Sequence, residues 1–265
     1  MNTATPKIYI VGETSVDHEQ MQLAIDEMTG TQDGNWDPLF NGANSAALMT
    51  EFAGKGCYLS FEDGANKNLT RTGTRSTEEY IGEQILKQKH GSVLEHSTVN
   101  VQITNASRVL THELVRHRVG TAYSQLSGRY VRESIRLWVP SCIAENPEAV
   151  KVFERSLAQD IENQAELERI FQIDQASFTR KKILTSAFRR LNPLGAASHI
   201  LVSANHRTWR HIIELRTHES AEEEIRLVFG LIARALAERF SEIYQDMNDV
   251  EINGHFKYWF TNTKV

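Results

Sequence analysis

The clearest pattern of hydrophobic and polar positions lies in residues 97–104. Val99, Val101 and Ile103 alternate with polar residues there, and this period of two predicts a β-strand with one buried face. Residues 8–11 fit a second, short strand. The strands are too few and too irregularly spaced for a doubly wound parallel sheet.

Most other segments carry a helical pattern. Helices are predicted at residues 19–28, 108–118, 148–171, 177–191 and 205–215, with Asn105 or Ser107 capping the second and Pro193 separating the last two. Ser76 and Glu79 fit a capping box for a helix that ends near His90. Ser220 and Glu223 fit another. It would open a long amphipathic helix that buries Leu227, Val228, Leu231, Ala235, Leu236, Phe240 and Ile243.

Together these elements predict an α+β fold, with a small, mostly antiparallel sheet and a helix-dominated remainder. No repeat, low-complexity tract or linker divides the chain, so we expect a single domain over residues 1–265. Residues 30–44 are rich in Gly, Asp and Asn, which predicts a loop that we interpret as an insertion.

Composition narrows the class of protein. No apolar run reaches the roughly 18 residues of a membrane span, and the first seven residues lack a secretory pattern, so we expect a cytoplasmic protein without a membrane partner. The net charge of −5 argues against a general polyanion-binding surface, so any phosphate site must use a local basic cluster. Cys57 and Cys142 cannot form a disulfide framework, and we expect both to pack as small hydrophobic residues.

Such a basic cluster follows the predicted helix at 108–118. Arg116, His117 and Arg118 precede a stretch rich in small and hydroxyl residues that ends with Ser127, Gly128 and Arg129. Arginine forks, hydroxyl groups and glycine-flanked amides are the donors that a nucleotide phosphate or a flavin pyrophosphate requires. Taken alone, the triplet favours a helix end whose cations complement the helix dipole and pair with surface acids.

The spacing of these residues resembles the signature of the flavin-dependent thymidylate synthases. In that signature seven residues separate an Arg-His-Arg triplet from Ser-Gly-Arg-Tyr; here residues 119–126 make eight, which we interpret as a one-residue insertion near Gly120. Two further blocks resemble the family in the same order. One is His90-Gly-Ser-Val-Leu-Glu-His96, and the other comprises Arg189, Asn205-His-Arg207 and Leu215-Arg216. The similarity covers residues 76–240, and both ends of the chain match poorly.

The resemblance implies a homotetramer that makes dTMP from dUMP with FAD, NADPH and methylene-tetrahydrofolate, at sites shared between subunits. It implies that FAD contacts His90, Ser92, Arg116, His117, Arg118, Gln125, Asn205, His206, Arg207 and His211, although the family commonly has an amide at the last of these. It implies that dUMP contacts Glu113, Leu114, Val115 and Arg116 of one subunit, and Gln125, Leu126, Ser127, Gly128, Arg129 and Arg189 of another. Glu113 is often glutamine in the family, and because an acid would repel phosphate, we expect it near the sugar or base.

The resemblance also implies that Arg216 is the catalytic residue and that it contacts dUMP. An arginine at the N3/carbonyl edge of uracil would stabilise negative charge on the ring as C5 becomes nucleophilic. Neither cysteine lies in a recognisable nucleophile setting, and no base is evident beside Ser127, so we assign Ser127 to binding.

For single residues, purely structural interpretations remain open. His90 could be a helix C-terminal cation, Glu95 and His96 a strand-edge ion pair, and Arg189 and Arg190 solvated charges. Arg216 could be a surface partner of the acids Glu219 and Glu222–Glu224.

Two other classes of function compete with an enzyme of this kind. A zinc site is rejected because His112 and His117 are five residues apart and point about 140° apart on a helix, so no metal is expected. A nucleic-acid-binding module is favoured by the mixture of arginines with Tyr123 and Tyr130, but the net charge and the lack of a module signature argue against it. Bound flavin, which is yellow, would distinguish the two.

Overall fold

A four-stranded antiparallel sheet lies at the centre of the computed structural model, which describes residues 3–31, 34, 36, 43–61, 75–131, 135–262 and 265. Its strands are β1 Lys7–Glu13, β2 Thr98–Ser107, β3 Thr121–Gln125 and β4 Ala197–Asn205, in the order β1-β2-β4-β3. Val101 of β2 pairs with Ile10 on one side and with Val202 on the other. Val99, Val101 and Ile103 are fully buried, which confirms the predicted strand and its buried face.

Helices pack around this sheet and confirm the α+β class. Within the described residues they are α1 His18–Thr29, α2 Ser45–Tyr58, α3 Thr77–Tyr80, α4 Arg108–Leu114, α5 Ser141–Ala144, α6 Pro147–Ile170, α7 Phe178–Phe188, α8 His206–Arg216, α9 Glu223–Arg239 and α10 Ser241–Tyr244. A π-helical segment, Ile81–Leu86, continues α3, and the 3-10 turns are Gly91–Glu95, Ile173–Gln175 and Arg189–Leu191. The large hydrophobic core lies between the sheet and α8 and α9, where Trp209, Phe229 and Ile232 are inaccessible to solvent.

Capping explains where several of these helices begin. The side chain of Ser76 accepts from the N–H of Glu79, and Glu79 accepts from the N–H of Ser76, which confirms the first capping box. Ser107 rather than Asn105 caps α4, and its Oγ accepts from the N–H of Leu110 at 3.1 Å. The helix ends at Leu114, one turn earlier than predicted, because the chain tightens into i→i−3 bonds at residues 116 and 117.

The second capping box is wrong. Glu222 caps α9 by accepting from the N–H groups of residues 224 and 225, whereas the side chain of Ser220 bonds His218. The core face of α9 is confirmed in part. Ile225, Phe229 and Ile232 are also buried, whereas Leu227 is exposed; the expected residues that are buried are Val228, Leu236, Phe240 and Ile243. A carboxylate that reaches two amides replaces serine as the cap, which shifts the start of the helix by two residues.

Several elements were not predicted, among them β3, β4, α2, α5 and a C-terminal hairpin. The hairpin pairs β5 Met247–Ile252 with β6 His255–Phe260. Most of the predicted loop at 30–44 lies outside the described residues. Cys57 and Cys142 are both exposed, so the expectation that they pack as small hydrophobic residues is wrong. None of the described helices is long and apolar enough to cross a membrane.

Candidate active site

The guanidinium of Arg216 is held by Glu113 and His117, and we call these three residues the Arg216 cluster. Arg216 ends α8, Glu113 lies in the last turn of α4, and His117 follows that helix. Arg216 Nε donates to His117 Nε2 at 2.8 Å, Nη1 donates to Glu113 Oε2 at 3.1 Å, and Nη2 donates to the Glu113 carbonyl at 3.0 Å. The partner of Arg216 is therefore Glu113 and not the acids at 219 and 222–224.

The electrostatics of the cluster keep His117 neutral. Burial, together with the positive charge of Arg216 and the nearby His211, lowers the pKa of His117 from 6.5 to about 4. At neutral pH the imidazole therefore accepts the hydrogen bond from Arg216 Nε, which places its proton on Nδ1. An uncharged acceptor on one edge and a carboxylate on another fix the orientation of the guanidinium.

A cationic cleft of about 480 Å³ opens beside this cluster. It is lined by six of the residues predicted to bind FAD: Arg116, His117, Arg118, Asn205, Arg207 and His211. Arg207 pairs with Glu95 at 2.5 Å, so the partner of Glu95 is Arg207 and not His96, the alternative left open. Arg207 and His211 both line the cleft because they lie one turn apart on the same face of α8.

The turn at Gly120 shapes one edge of this cleft. Gly120 has a φ of +71°, and a Cβ there would lie 2.3 Å from Thr208 Oγ1. The residue must therefore be glycine, both for its backbone conformation and for the close approach of α8. The turn leads directly into β3, and it lies where we interpret the one-residue insertion.

His206, although predicted to contact FAD, does not line the cleft. Its ring is inaccessible to solvent, packs against Phe240 and lies 3.2 Å from the Tyr244 hydroxyl. Burial lowers its pKa to about 3. Because Asn205 caps α8, the next residue faces the sheet and the core, whereas Arg207 faces the cleft.

His90 and Ser92 lie in a separate cleft of about 490 Å³ that α2 lines on its other side. The edge of the Tyr58 ring faces His90, with the ring centroids 6.0 Å apart. Gly91, between His90 and Ser92, lies close to Arg207 of the cationic cleft: a Cβ there would lie 2.8 Å from the Val265 backbone and 3.2 Å from Arg207 Nε. The two predicted FAD blocks therefore meet at this glycine.

The residues predicted to bind dUMP divide into two groups within one chain. Glu113 belongs to the Arg216 cluster, and Arg116 lines the cationic cleft. The side chain of Leu114 is fully buried and that of Val115 packs against the core, which leaves their backbones for a ligand.

The second group surrounds Gly128. Here a Cβ would lie 3.5 Å from Arg189 Cδ and 3.6 Å from Arg108 Nη2. Gln125 Nε2 donates to Thr111 Oγ1 at 3.0 Å, and the Arg129 carbonyl accepts from Thr185 Oγ1 at 2.7 Å. Leu126 lines the same hollow as Gly128, whereas the Ser127 carbonyl closes the turn that follows. Sequence analysis missed Arg108, which is 81 positions from Arg189 and carries no local signal.

Comparison with known proteins decides the family. Residues 39–241 match the family model described as thymidylate synthase complementing protein. The flavin-dependent thymidylate synthase of Mycobacterium avium is 36% identical over 79% of this chain and 82% of its own length. The chain belongs to the flavin-dependent thymidylate synthase family.

Other relatives agree with this membership. The flavin-dependent thymidylate synthase of Mycolicibacterium gilvum is 35% identical over 84% of this chain and 87% of its own. The family resemblance seen in the sequence is therefore confirmed. The matched region excludes the hairpin of β5 and β6, in line with the poor match expected at the C-terminal end.

The fold of this chain is similar to those of solved structures. A UMP/dUMP methylase, PolB from Streptomyces cacaoi bound with 5-Br dUMP, superimposes with a TM-score of 0.62 at 16% identity, over 91% of this chain and 94% of that one. Thymidylate synthase X from Helicobacter pylori, solved with FAD and dUMP, gives a TM-score of 0.56 at 19% identity, over 91% and 98%.

The histidines considered for zinc do not converge in this member of the family. His112 lies within α4, whereas His117 lies beyond its end. In the described part of the chain, no group of three or more His, Cys, Asp or Glu side chains is placed to hold a metal ion.

Proposed function

We propose that this protein converts dUMP to dTMP by reductive methylation, with methylene-tetrahydrofolate as the carbon donor and NADPH as the reductant of bound FAD. The observation that carries the proposal is the fixed guanidinium of Arg216, held by Glu113 and His117 beside a cationic cleft in a chain of this family. Relatives that bear the same name cover most of the chain.

The chemistry of the cleft suits a flavin dinucleotide. Arg116, Arg118 and Arg207 place three permanent cations around it, and of these only Arg207 has an ion pair to a described residue. Guanidinium groups bind pyrophosphate oxygens with paired hydrogen bonds. Bound FAD supplies the hydride that reduces the transferred one-carbon unit. His90 and Ser92, in the neighbouring cleft beyond Gly91, would contact the flavin from the other side.

Arg216 acts on the base. A guanidinium has five N–H donors, and the Arg216 cluster uses three of them, which leaves one on each terminal nitrogen for substrate. Either donor can bond a carbonyl oxygen of uracil, next to N3, and stabilise the negative charge that forms on the ring as C5 attacks the carbon donor. Glu113 and His117 are positioning residues in this account, and Glu113 lies at the base, as expected for an acid.

The phosphate end of dUMP binds the second group, Gln125–Arg129 with Arg189. Because Gly128 and Arg189 meet within one chain, a single subunit can supply this half. We assign the other half, Glu113–Arg116, to a different subunit of a homotetramer. Exposed apolar residues on the long helix α6, among them Val152 and Ile161, offer a surface for such an assembly.

The test is product formation by the purified protein. Given dUMP, FAD, NADPH and methylene-tetrahydrofolate, it should form dTMP, detected by chromatography, and omission of any one component should stop the reaction. A folded, yellow protein that forms no dTMP would contradict the substrate assignment. A colourless protein that takes up no FAD would contradict the cofactor assignment and revive the nucleic-acid-binding interpretation.

A further inference from the structure

The strand β3 fastens the turn that carries His117. The hydroxyl of Tyr123 donates to the His117 carbonyl at 2.7 Å and to the Leu114 carbonyl at 3.0 Å. Thr121 Oγ1 donates to the same His117 carbonyl at 2.6 Å. Thr121 and Tyr123 are two positions apart on β3, so both side chains point to one face of the strand. β3 therefore ties down the backbone at the end of α4 through two hydroxyl groups.

These carbonyls lie where the hydrogen bonds of α4 run out. The last four carbonyls of a helix have no partner in a following turn. The Leu114 carbonyl accepts from the N–H of His117 at 3.1 Å, an i→i−3 bond. In the described part of the chain, no backbone amide donates to the His117 carbonyl. The position of this carbonyl thus depends on the hydroxyl groups of Thr121 and Tyr123.

The side chain of Tyr123 is suited to hold this position. It is partly buried and its ring packs against the main hydrophobic core. Burial raises the pKa of its hydroxyl, although the hydrogen bond of Thr121 and the charges of Arg118 and Arg216 oppose the rise. The hydroxyl therefore keeps its proton at neutral pH and remains a donor.

The backbone that Tyr123 fastens carries both partners of Arg216. His117 Nε2 accepts from Arg216 Nε at 2.8 Å. Glu113, the residue before Leu114, holds the same guanidinium through its carboxylate and its carbonyl. Because only two torsion angles join the imidazole to the backbone, a shift of the turn also moves Nε2 away from the guanidinium.

We propose that Tyr123 is a positioning residue of the active site, which orients Arg216 through the backbone of Leu114 and His117. The assignment rests on the proposed function and concerns a residue to which the roles above give no part in the reaction. Removal of the hydroxyl relaxes the turn and loosens the imidazole from the guanidinium. The chemical step then slows, while dUMP and FAD bind as before.

Tyr123→Phe tests this role, since it removes one oxygen and keeps the ring in the core. The kcat of tritium release from 5-tritiated dUMP should fall by about fivefold to thirtyfold, as expected for one lost hydrogen bond. The Kd values of dUMP and FAD, measured by isothermal titration, should stay within about twofold of the wild type. Thermal melting establishes that the variant is folded. Thr121→Val, which removes the other donor to the His117 carbonyl, is the second variant and should act in the same direction.

A second readout does not depend on activity. The charged and titratable groups around His117 are Arg216 and His211 of α8, and Glu113, Arg116 and Arg118 on its own segment. Burial, Arg216 and His211 lower the pKa of His117 to about 4, and an imidazole that moves away from Arg216 should regain a pKa nearer 6.5. The wild type loses stability as the pH falls from 6.5 to 4, because its folded state resists protonation. Tyr123→Phe should therefore lose less Tm over this range, and its kcat should fall below pH 6.5 where that of the wild type does not.

The matched control is Tyr244→Phe. Tyr244 is also buried, and its hydroxyl lies 3.2 Å from Nδ1 of His206, in the core and away from the cleft. This variant should lose Tm but keep the kcat of the wild type and its loss of Tm between pH 6.5 and 4. Equal loss of kcat in both variants would overturn the role of Tyr123, as would a Tyr123→Phe protein with the wild-type kcat or the wild-type dependence of Tm on pH. A wild-type protein that releases no tritium would overturn the proposed function, and the comparison of Tm would still decide whether Tyr123 holds His117.

Discussion

Arginines occur in two contrasting settings in this molecule. In the Arg216 cluster, the guanidinium is held on three nitrogens by a carboxylate, a carbonyl and a neutral imidazole. Around Gly128, Arg108 and Arg189 lie close together, and no described carboxylate forms an ion pair with either. The first setting fixes direction and compensates charge, which suits a donor aimed at developing charge on a base. The second leaves charge uncompensated, which suits a phosphate dianion.

The largest expected effect is loss of the oriented guanidinium. Arg216→Ala should lower kcat by at least about 10³-fold, because the donors that stabilise charge in the transition state disappear. Arg216→Lys should not rescue it, since an ammonium lacks the planar fork. FAD should remain bound in both, as the flavin absorbance of the purified variants would show. Turnover near the wild-type rate in either variant would contradict the role of Arg216.

The next effect concerns binding. Arg189→Ala should raise the Kd of dUMP by about tenfold to a hundredfold, as expected for loss of a hydrogen bond to a charged group, and Arg129→Ala should act in the same direction. Titration with dUMP measures this, and FAD affinity provides the control. An unchanged Kd in both folded variants would mean that the phosphate binds elsewhere.

Acid should weaken the Arg216 cluster through His117. Its pKa is about 4 in the folded protein and near 6.5 when unfolded, so the folded state resists protonation. The stability that this contributes is present above pH 6.5 and is lost as the pH falls toward 4. His117→Gln should lose less Tm over that range than the wild type.

The exposed His112 on the same helix provides the control for this comparison. His112→Gln should follow the wild-type Tm between pH 6.5 and 4, because its side chain is solvated. If His117→Gln and the wild type instead lose equal Tm over this range, the imidazole does not hold its neutral form against the charge of Arg216.

The smallest effect is expected at the cysteines. Cys57 and Cys142 are exposed. Cys57 lines the cleft of His90 and Ser92, but its thiol has no role in the proposed chemistry, so Cys57→Ser with Cys142→Ser should keep kcat within about twofold of the wild type. The same dTMP assay measures it. Loss of chemistry in a folded double variant would revive a mechanism through a cysteine nucleophile.

Strong local patterns predicted much of the fold. The alternation at Val99, Val101 and Ile103 is long enough to define a central strand, and caps such as Ser76 and Ser107 mark helix starts through their own hydrogen bonds. Five-residue β3 has no comparable pattern, and it forms because β4 offers a free edge. The cap of α9 was misplaced because a carboxylate two residues later competes with serine for the same amides.

The site was predicted as far as chain order determines it. Motif order groups Arg116, Arg118 and Arg207, which line one cleft. It does not give the direction of each side chain, and His206 faces the core one residue from Arg207. Arg108 was missed for a different reason. Its neighbour Arg189 comes close only through tertiary packing, which no local spacing reports.

Tritium release from 5-tritiated dUMP, measured at increasing dUMP concentration, separates the arginines that bind dUMP from Arg216, which acts in catalysis. In Arg129→Ala and Arg189→Ala, release should approach the wild-type rate once dUMP is saturating, because only binding is weakened. In Arg216→Ala, release should stay near background at every concentration. Recovery of Arg216→Ala at high dUMP, or failure of the other two to recover, would contradict the account.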